Sequence, residues 1–329
     1  MTDAAMDGAL EVTRVIPVPR SVSAQAQAFL TEGAAAVAER IANPRQFPAP
    51  DDHAGWKAHV AGVDAFIASR FEGLNRDADV SVEPMQIGDV LIYEVTPAGA
   101  DTSDDAPMYY DIHGGALVAG GGEACRLMAI DSALRTGLKT WSIDYRMPPE
   151  YPYPTPLGDC VAGYRALLER RPPERIAVGG GSAGGNLAAA LMLRARAEQL
   201  PVPACLVLLT PEIDLTESGD TFETNAYIDV MLVTRLTESI AVYANGHDLS
   251  DPFLSPLFGD VSGFPPTFLQ SGTRDLFLSN TVRMHRALRA ANVEAELHVW
   301  EAMPHGTFYG APEADELATE IRKFLARYL

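Results

Sequence analysis

After residue 80, short apolar stretches alternate along the chain with stretches whose apolar residues recur at helical spacing. Val82–Ile87 and Val90–Thr96 alternate apolar and polar residues around Gly88-Asp89, which predicts a hairpin with a two-residue loop. Further strands are predicted at Met108–Ile112, Lys139–Tyr145, Arg175–Val178, Ala204–Leu209, Thr267–Ser271 and Glu294–Glu301. Helices are predicted at Gly122–Arg135, Leu157–Arg171, Ala183–Leu200, Asn280–Ala291 and Pro312–Tyr328. This repetition predicts an α/β fold with a mostly parallel central sheet flanked by helices on both faces.

Two regions depart from this alternation. Ser23–Ala42 and Gly55–Phe71 show helical apolar spacing without a strand between them. The stretch Ser218–Asn245 also has a helical pattern and no strand. We therefore expect a helical cap, with N-terminal cap helices in residues 1–75 and a cap insertion at residues 218–245. The core would then comprise residues 76–217 and 246–329.

The charge balance of the chain bears on its partners. Its 329 residues include 44 Asp and Glu against 25 Lys and Arg, which gives a formal net charge of −19. Nucleic acids and anionic membrane surfaces bind basic patches, so this balance disfavours both as partners. No apolar run approaches the ~20 residues that a membrane-spanning helix needs. We therefore expect neither a nucleic-acid partner nor a membrane.

The cysteines and the N-terminus bear on the compartment. Cys125, Cys160 and Cys205 lie far apart and lack the spacing of metal ligands, so we expect no metal site. A low, odd number of cysteines is typical of reduced thiols inside the cell. Residues 1–20 contain no apolar stretch of the kind found in a secretory signal. These features predict a cytoplasmic protein.

The motif G-x-S-x-G stands at residues 180–184, between a predicted strand and a predicted helix. A tight strand-to-helix turn strains the backbone of Ser182 and requires small neighbours, which Gly180 and Gly184 provide. The turn also places the Ser182 hydroxyl at a helix N-terminus, where backbone N–H groups favour negative charge. The motif indicates a serine nucleophile. The alternative is a glycine-rich turn that binds phosphate or only packs closely.

A nucleophilic serine needs a base and an acid that orients the base. His305 lies between Pro304 and Gly306 in the loop before the last helix, a better context for the base than that of the other downstream histidines. Asp275 is the single carboxylate in the loop that follows the predicted strand Thr267–Ser271. It is the candidate acid, and the alternative is an N-cap of the next helix.

An acyl-transfer reaction also needs N–H donors for the developing oxyanion. The residues His113, Gly114 and Gly115 follow a predicted strand, and paired glycines let a backbone approach a substrate closely. We expect Gly114, Gly115 and Ala183 to donate these N–H groups, with His113 in a structural role. The alternative is a plain tight turn.

Together these residues resemble the hormone-sensitive-lipase-like branch of the α/β-hydrolases, the microbial carboxylesterases with an H-G-G motif. Residues 144–150 (D-Y-R-M-P-P-E), 211–215 (P-E-I-D-L) and 251–256 (D-P-F-L-S-P) look like further motifs of that branch. The resemblance runs from about Val82 to the C-terminus. It implies an α/β-hydrolase fold with a helical cap, hydrolysis of short-acyl esters, no cofactor and frequent dimers.

Three positions depart from the family pattern. Gly181 stands where an acidic residue usually precedes the nucleophile, Ala116 where a third glycine is common, and Ser279 where a second acidic residue often follows the acid. None of these changes removes a residue of the predicted Ser–His–Asp triad. We read the motif residues Tyr145, Arg146, Glu212 and Asp214 as structural.

The residues leave open two alternative functions and the formation of a homodimer. The same triad could open a lactone, because nothing in the motifs distinguishes a cyclic ester from an open one. A fold that has lost catalysis could serve as a small-molecule receptor, although Ser182, Asp275 and His305 are all present. The last predicted strand, Glu294–Glu301, would be a sheet edge that could pair with a second copy in a homodimer.

Overall fold

A computed structural model describes residues 9–329, so the first eight residues of the predicted N-terminal cap segment lie outside the described part. Its centre is an eight-stranded sheet in the order β1-β2-β4-β3-β5-β6-β7-β8. The strands are β1 Val80–Ile87, β2 Val90–Pro97, β3 Met108–Ile112, β4 Lys139–Asp144, β5 Ile176–Gly181, β6 Cys205–Leu209, β7 Thr267–Gly272 and β8 Ala295–Trp300. β2 pairs antiparallel with β1 and β4, and the other pairs are parallel. The predicted mostly parallel sheet is therefore confirmed.

Helices cover both faces of this sheet. They are α1 Ala24–Ala42, α2 His53–Leu74, α3 Glu123–Thr136, α4 Thr155–Leu168, α5 Ala183–Ala197, α6 Thr221–Thr224, α7 Thr237–Ala244, α8 Leu278–Ala290 and α9 Pro312–Tyr328. On one face, Tyr110 of β3 belongs to an apolar cluster with α4 and α5. Its neighbour Tyr109 faces the other way, into a cluster with Phe324 of α9. Successive side chains of a strand alternate between faces, so one strand anchors both layers.

Burial along the strands follows their position in the sheet. All five residues of β3 and all five of β6 are buried, as expected of central parallel strands with helices on both sides. β1 alternates between half-buried and exposed residues along most of its length at the sheet edge. The predicted two-residue hairpin loop is confirmed, since Ile87 pairs with Val90. The predicted edge position of the last strand is also confirmed, since β8 ends the strand order.

Several boundaries differ from the predicted ones because capping residues and prolines set them. α2 begins at His53 instead of Gly55, since the Asp52 side chain accepts the Gly55 N–H at 2.9 Å as an N-cap. α4 begins two residues before the predicted Leu157, with Pro156 in its first turn. The stretch 218–245 holds only two short helices, α6 and α7, and its remainder is irregular.

The N-terminal helices contact the loops that leave the sheet. Leu30 of α1 packs in a cluster with Met303 and Phe308, which flank His305. Trp56 of α2 packs with Val118, which follows β3, and with Val242 of α7. Within residues 9–329, no helix is long and apolar enough to cross a membrane.

Candidate active site

Ser182 occupies a sharp turn between β5, which ends at Gly181, and α5, which begins at Ala183. Its backbone has φ 56° and ψ −121°, a conformation that costs a non-glycine residue free energy. The Ser182 N–H donates to the carbonyl of Leu209 at 2.9 Å, and its carbonyl accepts the Asn186 N–H at 3.1 Å. Hydrogen bonds to β6 and to the first turn of α5 therefore hold the strained residue in place.

The small residues of the motif meet a steric requirement of this turn. A Cβ at Gly184 would overlap the carbonyl oxygen of Ile112, and one at Gly180 would lie 2.5 Å from that oxygen. A Cβ at Gly181 would meet nothing closer than 3.7 Å. Gly180 and Gly184 are therefore required by packing, whereas the position of Gly181 leaves room for a side chain. The departure at Gly181 is thus not a steric adaptation.

The loop after β3 lies against the Ser182 turn. A Cβ built on Gly114 would lie 3.0 Å from the Gly181 carbonyl oxygen and 3.5 Å from Ser182 Cβ. Gly115 has φ 135°, and a Cβ there would overlap the carbonyl oxygen of Ala119. Ala183 opens α5, where backbone N–H groups have no partner inside the helix. The structure therefore brings Gly114 and Ala183 beside Ser182, with Gly115 next along the loop.

His113 is buried behind this loop. Its ring stacks on Tyr145 with centroids 4.1 Å apart, and the Tyr145 hydroxyl donates to the His113 carbonyl at 3.0 Å. Its Nδ1 lies 2.8 Å from the Gly114 carbonyl oxygen, which can only accept, so Nδ1 carries the proton. Burial lowers the pKa of His113 to about 4, which keeps the imidazole neutral. The side chain supports the loop.

Asp275 and His305 meet at the carboxyl ends of β7 and β8. His305 Nδ1 lies 3.0 Å from Asp275 Oδ1, with the Asp275 side chain fully buried and that of His305 15% exposed. The Ser271 hydroxyl donates to Asp275 Oδ2 at 2.6 Å, and the Phe277 N–H donates to Oδ1 at 2.9 Å. A Cβ at Gly272 would overlap the Met303 carbonyl oxygen, so the two loops touch through backbone.

The start of α8 decides between the two candidate roles of Asp275. The N-cap of α8 is Phe277, so the N-cap alternative for Asp275 is wrong.

The surroundings of His305 act on its pKa in opposite directions. Burial lowers this pKa, but the hydrogen bond and charge of Asp275 and the charge of Asp229 raise it by more than burial lowers it. The pKa of His305 is therefore raised above its ordinary value. A base of this kind is stabilised in its protonated form.

Asp229 is a residue of this corner that sequence reasoning missed. Its Oδ2 accepts the Leu276 N–H at 2.9 Å and the His305 N–H at 3.0 Å. These partners stand 47 and 76 residues further along the chain, so no local motif relates them. Asp229 also lies in the irregular part of residues 218–245, where hydrophobic periodicity cannot predict which way a side chain faces.

Residues 211–215 and 251–256 support the Ser182 turn through hydrogen bonds. The Glu212 N–H donates to the Ser182 carbonyl at 3.1 Å. The Asn186 side chain donates to the carbonyls of Glu212 and Leu254 at 2.7 and 2.8 Å. Asp214 accepts hydrogen bonds from Thr216, Ser218 and Arg283. These residues connect α5, the loop after β6 and residues 251–256.

One group of side chains could in principle hold a metal ion. Ligand atoms of His113, Cys125 and Asp144 lie within 4.8 Å of one another. Cys125 Sγ is 3.8 Å from the Ser142 hydroxyl, and Asp144 accepts the Gly122 N–H. Burial raises the pKa of the Cys125 thiol well above its usual range, which disfavours the thiolate that a metal needs. The three side chains pack the interior behind the loop after β3.

Comparison with known proteins agrees with this geometry. A family model described as α/β-hydrolase fold matches residues 109–309. An esterase of Acinetobacter venetianus is 30% identical over 251 residues, which cover 74% of this chain and 82% of that protein. The crystal structure of esterase E25 is 34% identical with a TM-score of 0.88, over 98% of this chain and 99% of that one. The hormone-sensitive-lipase homologue EstE7, from a metagenome library, is 30% identical with a TM-score of 0.79, over 92% and 98%.

The matched residues 109–309 include Ser182, Asp275 and His305 as well as the loop after β3. The family match and the named esterases agree on a reaction, the hydrolysis of carboxylic esters. The chain therefore belongs to the α/β-hydrolase family and is a carboxylesterase of its hormone-sensitive-lipase-like branch.

Proposed function

We propose that Ser182, His305 and Asp275 are the catalytic triad of this carboxylesterase and that it cleaves short-chain esters through an acyl-enzyme. The observation that carries the proposal is the 3.0 Å contact of His305 Nδ1 with the buried Asp275, at the sheet end where Ser182 is held in a strained turn. The preference for short acyl chains rests on the resemblance to the family.

The geometry supports a specific sequence of proton transfers. Asp275 accepts a hydrogen bond from the Nδ1–H of His305, which fixes the tautomer whose Nε2 lone pair is free to take the Ser182 proton. Ser182 Oγ bonds to the ester carbonyl carbon, and the oxyanion is held by the N–H groups of Gly114, Gly115 and Ala183. His305 then gives its proton to the leaving alcohol. A water molecule repeats the attack on the acyl group, passes a proton to His305, and Ser182 leaves with that proton as the acid is released.

The residues around this site support a division of the chain. We propose that α1, α2 and residues 218–245 form the predicted cap over a core of residues 76–217 and 246–329. Trp56 supports this division, since it joins α2 to Val118 and Val242. Replacement of Trp56 by Ala should change kcat/KM for butyrate and acetate esters unequally. An unchanged ratio would contradict a cap that shapes the acyl pocket.

The main test of the proposed triad is hydrolysis of p-nitrophenyl acetate and butyrate. Ser182→Ala should lower kcat by roughly 10⁵–10⁶, the scale of losing a triad nucleophile. Ser250→Ala is the control, because Ser250 hydrogen-bonds only to Asp248 among the described residues and should keep full activity. A Ser182→Ala enzyme that keeps the wild-type rate would overturn the proposal. A lactone panel with far higher kcat/KM than open esters would instead favour lactone hydrolysis with the same triad.

We also propose a homodimer formed through the edge of the sheet. Within residues 9–329, β8 pairs only with β7, and Val299 on it is 42% exposed. Such an edge offers unpaired N–H and C=O groups to a second copy. Light scattering after size exclusion should give twice the chain mass, and Val299→Lys should give the monomer. A wild-type monomer at micromolar concentration would contradict the proposal.

We also propose a cytoplasmic location, which the state of the cysteines supports. Cys125, Cys160 and Cys205 are all free and buried. Fractionation of the source cells should place the protein with cytoplasmic markers, and recovery with periplasmic or secreted markers would contradict this location.

A further inference from the structure

Asp229 is a buried carboxylate with four backbone partners. Oδ1 accepts the N–H groups of Met231 and Leu232 at 2.8 and 3.1 Å. Oδ2 accepts those of Leu276 and His305 at 2.9 and 3.0 Å. The side chain has no exposed surface. One oxygen therefore shapes the segment that carries Asp229, and the other joins the loop of the acid to the loop of the base.

The partners of Asp229 select a carboxylate over other side chains. Every hydrogen bond to its two oxygens comes from a backbone N–H, so both oxygens must accept, and an ionised Asp is acceptor-only. Burial and the charge of Asp275 raise the pKa of Asp229, whereas the charge of His305 and the N–H donors lower it. An Asn at this position would turn an NH₂ group toward two of the donors. Asp229→Asn would therefore remove the two hydrogen bonds to one oxygen and leave the size of the side chain unchanged.

The rest of residues 218–245 anchors Asp229 against the acid loop. The Asn225 side chain donates to the Asp275 carbonyl at 2.8 Å. The Thr221 hydroxyl donates to the Leu276 carbonyl at 2.8 Å and accepts the Ser279 N–H at 2.9 Å. Asp229 differs from these two because it alone of the three also reaches the His305 backbone, and because it carries charge.

The N-terminal helix α1 packs against the same point. A Cβ on Gly33 of α1 would lie 2.5 Å from the Cβ of Val230, the residue after Asp229. Val230 also packs with Met303 and Phe308, on either side of His305. The position of Asp229 therefore depends on contacts from α1 as well as from its own segment.

We propose that Asp229 is a positioning residue that links the backbones of the acid and base loops, aligns Asp275 with His305, and adds a second negative charge that favours protonated His305. The inference rests on the proposed triad. The charged groups that face His305 are the carboxylates of Asp275 and Asp229, so removing one leaves the other as the only counter-charge among the described residues. Since His305 takes up a proton in each half of the reaction, Asp229 acts on both halves.

The test is the pH profile of kcat/KM for p-nitrophenyl butyrate with Asp229→Asn. We expect kcat to fall about 10–100-fold, with little change in KM, and the acid limb to move to lower pH, because less negative charge favours neutral His305. Glu217→Gln is the matched control. Glu217, the residue before the stretch 218–245, is also a buried carboxylate and accepts the Leu236 N–H at 2.7 Å, but it does not contact the triad. The acid limb of the pH profile of Glu217→Gln should stay at its wild-type position even if this variant has a lower melting temperature.

A second variant keeps the inference testable should Asp229→Asn not fold. Gly33→Ala would press on Val230, whereas Gly62→Ala on α2 meets nothing within 4 Å. We expect Gly33→Ala to lower kcat severalfold and Gly62→Ala to keep it. An unshifted acid limb and unchanged kcat in folded Asp229→Asn would overturn the inference, as would equal kcat in the two glycine variants. Failure of the triad itself would appear separately, as full activity in Ser182→Ala.

Discussion

The Ser182 turn and the Asp275–His305 corner are held by different means. Around Ser182, backbone hydrogen bonds and the absence of side chains at Gly180 and Gly184 fix the geometry. Around His305, carboxylates from two distant segments fix it through side-chain hydrogen bonds. The small residues that the first site requires stand within a few positions of Ser182 in the sequence, although Leu209 and Ile112 supply its backbone contacts. The second depends on the correct docking of the rest of the chain.

The largest expected effect of a change at the corner is that of Asp275→Asn. An Asn amide would donate to Nδ1 and so favour the wrong tautomer of His305, and kcat should fall by about 10⁴. Asp214→Asn is the control, since Asp214 is equally buried but pairs with Arg283. It should lower stability and leave kcat per folded molecule unchanged. Steady-state kinetics with thermal unfolding separates the two, and comparable kcat losses in both variants would contradict the assignment of Asp275.

At the Ser182 turn, we expect the largest effect from Gly184→Ala. The added Cβ would push α5 away from the carbonyl of Ile112 and open the contact between the turn and the loop after β3. We expect kcat to fall by about 10³, on the scale of displacing oxyanion donors. Gly181→Ala is the matched control, because its Cβ has room and kcat should stay within about threefold of wild type. Similar losses in both variants would mean that the turn is not sterically fixed.

A pH profile distinguishes the two regions in the unmodified enzyme. His305 must be neutral to take the Ser182 proton, and its pKa is raised above the usual value by Asp275 and Asp229. The kcat/KM should therefore fall as the pH drops, with a midpoint above the ordinary histidine value of about 6.5. His113, whose pKa is lowered to about 4 by burial, should contribute no limb near neutral pH. A midpoint below the ordinary histidine value would contradict the charge arrangement at the corner.

The smallest effect on activity is expected from Glu212→Gln, a change beneath the Ser182 turn. The Glu212 side chain is buried, and burial raises its pKa well above the usual range. The folded state then holds the proton more tightly than the unfolded state, so this residue lowers stability as the pH rises above its ordinary pKa. The Gln variant should keep kcat and should gain stability relative to the wild type from pH 5 to pH 8, by about 1.4 kcal/mol for each pH unit over which folded Glu212 stays protonated. Chemical unfolding at the two pH values measures this gain, and no difference between them would contradict a buried neutral carboxyl.

The same contrast explains what could be predicted from the sequence. The succession of strands and helices along the chain and the small residues around Ser182 follow from local patterns, because burial and sterics act on neighbouring residues. The limits of α2 and α4 could not be read from periodicity alone, since Asp52 and Pro156 set them. Asp229 left no signal, because its partners Leu276 and His305 are brought to it only by the tertiary fold.

Peptide mapping after reaction tests the central claim, an acyl-enzyme on Ser182, most directly. The enzyme is mixed with a fluorophosphonate, digested and analysed by mass spectrometry. The proposed triad predicts one adduct per chain, on Ser182, and a strong loss of labelling in Asp275→Asn and His305→Ala. Labelling at another residue, or hydrolysis of p-nitrophenyl butyrate that continues in fully labelled enzyme, would contradict it.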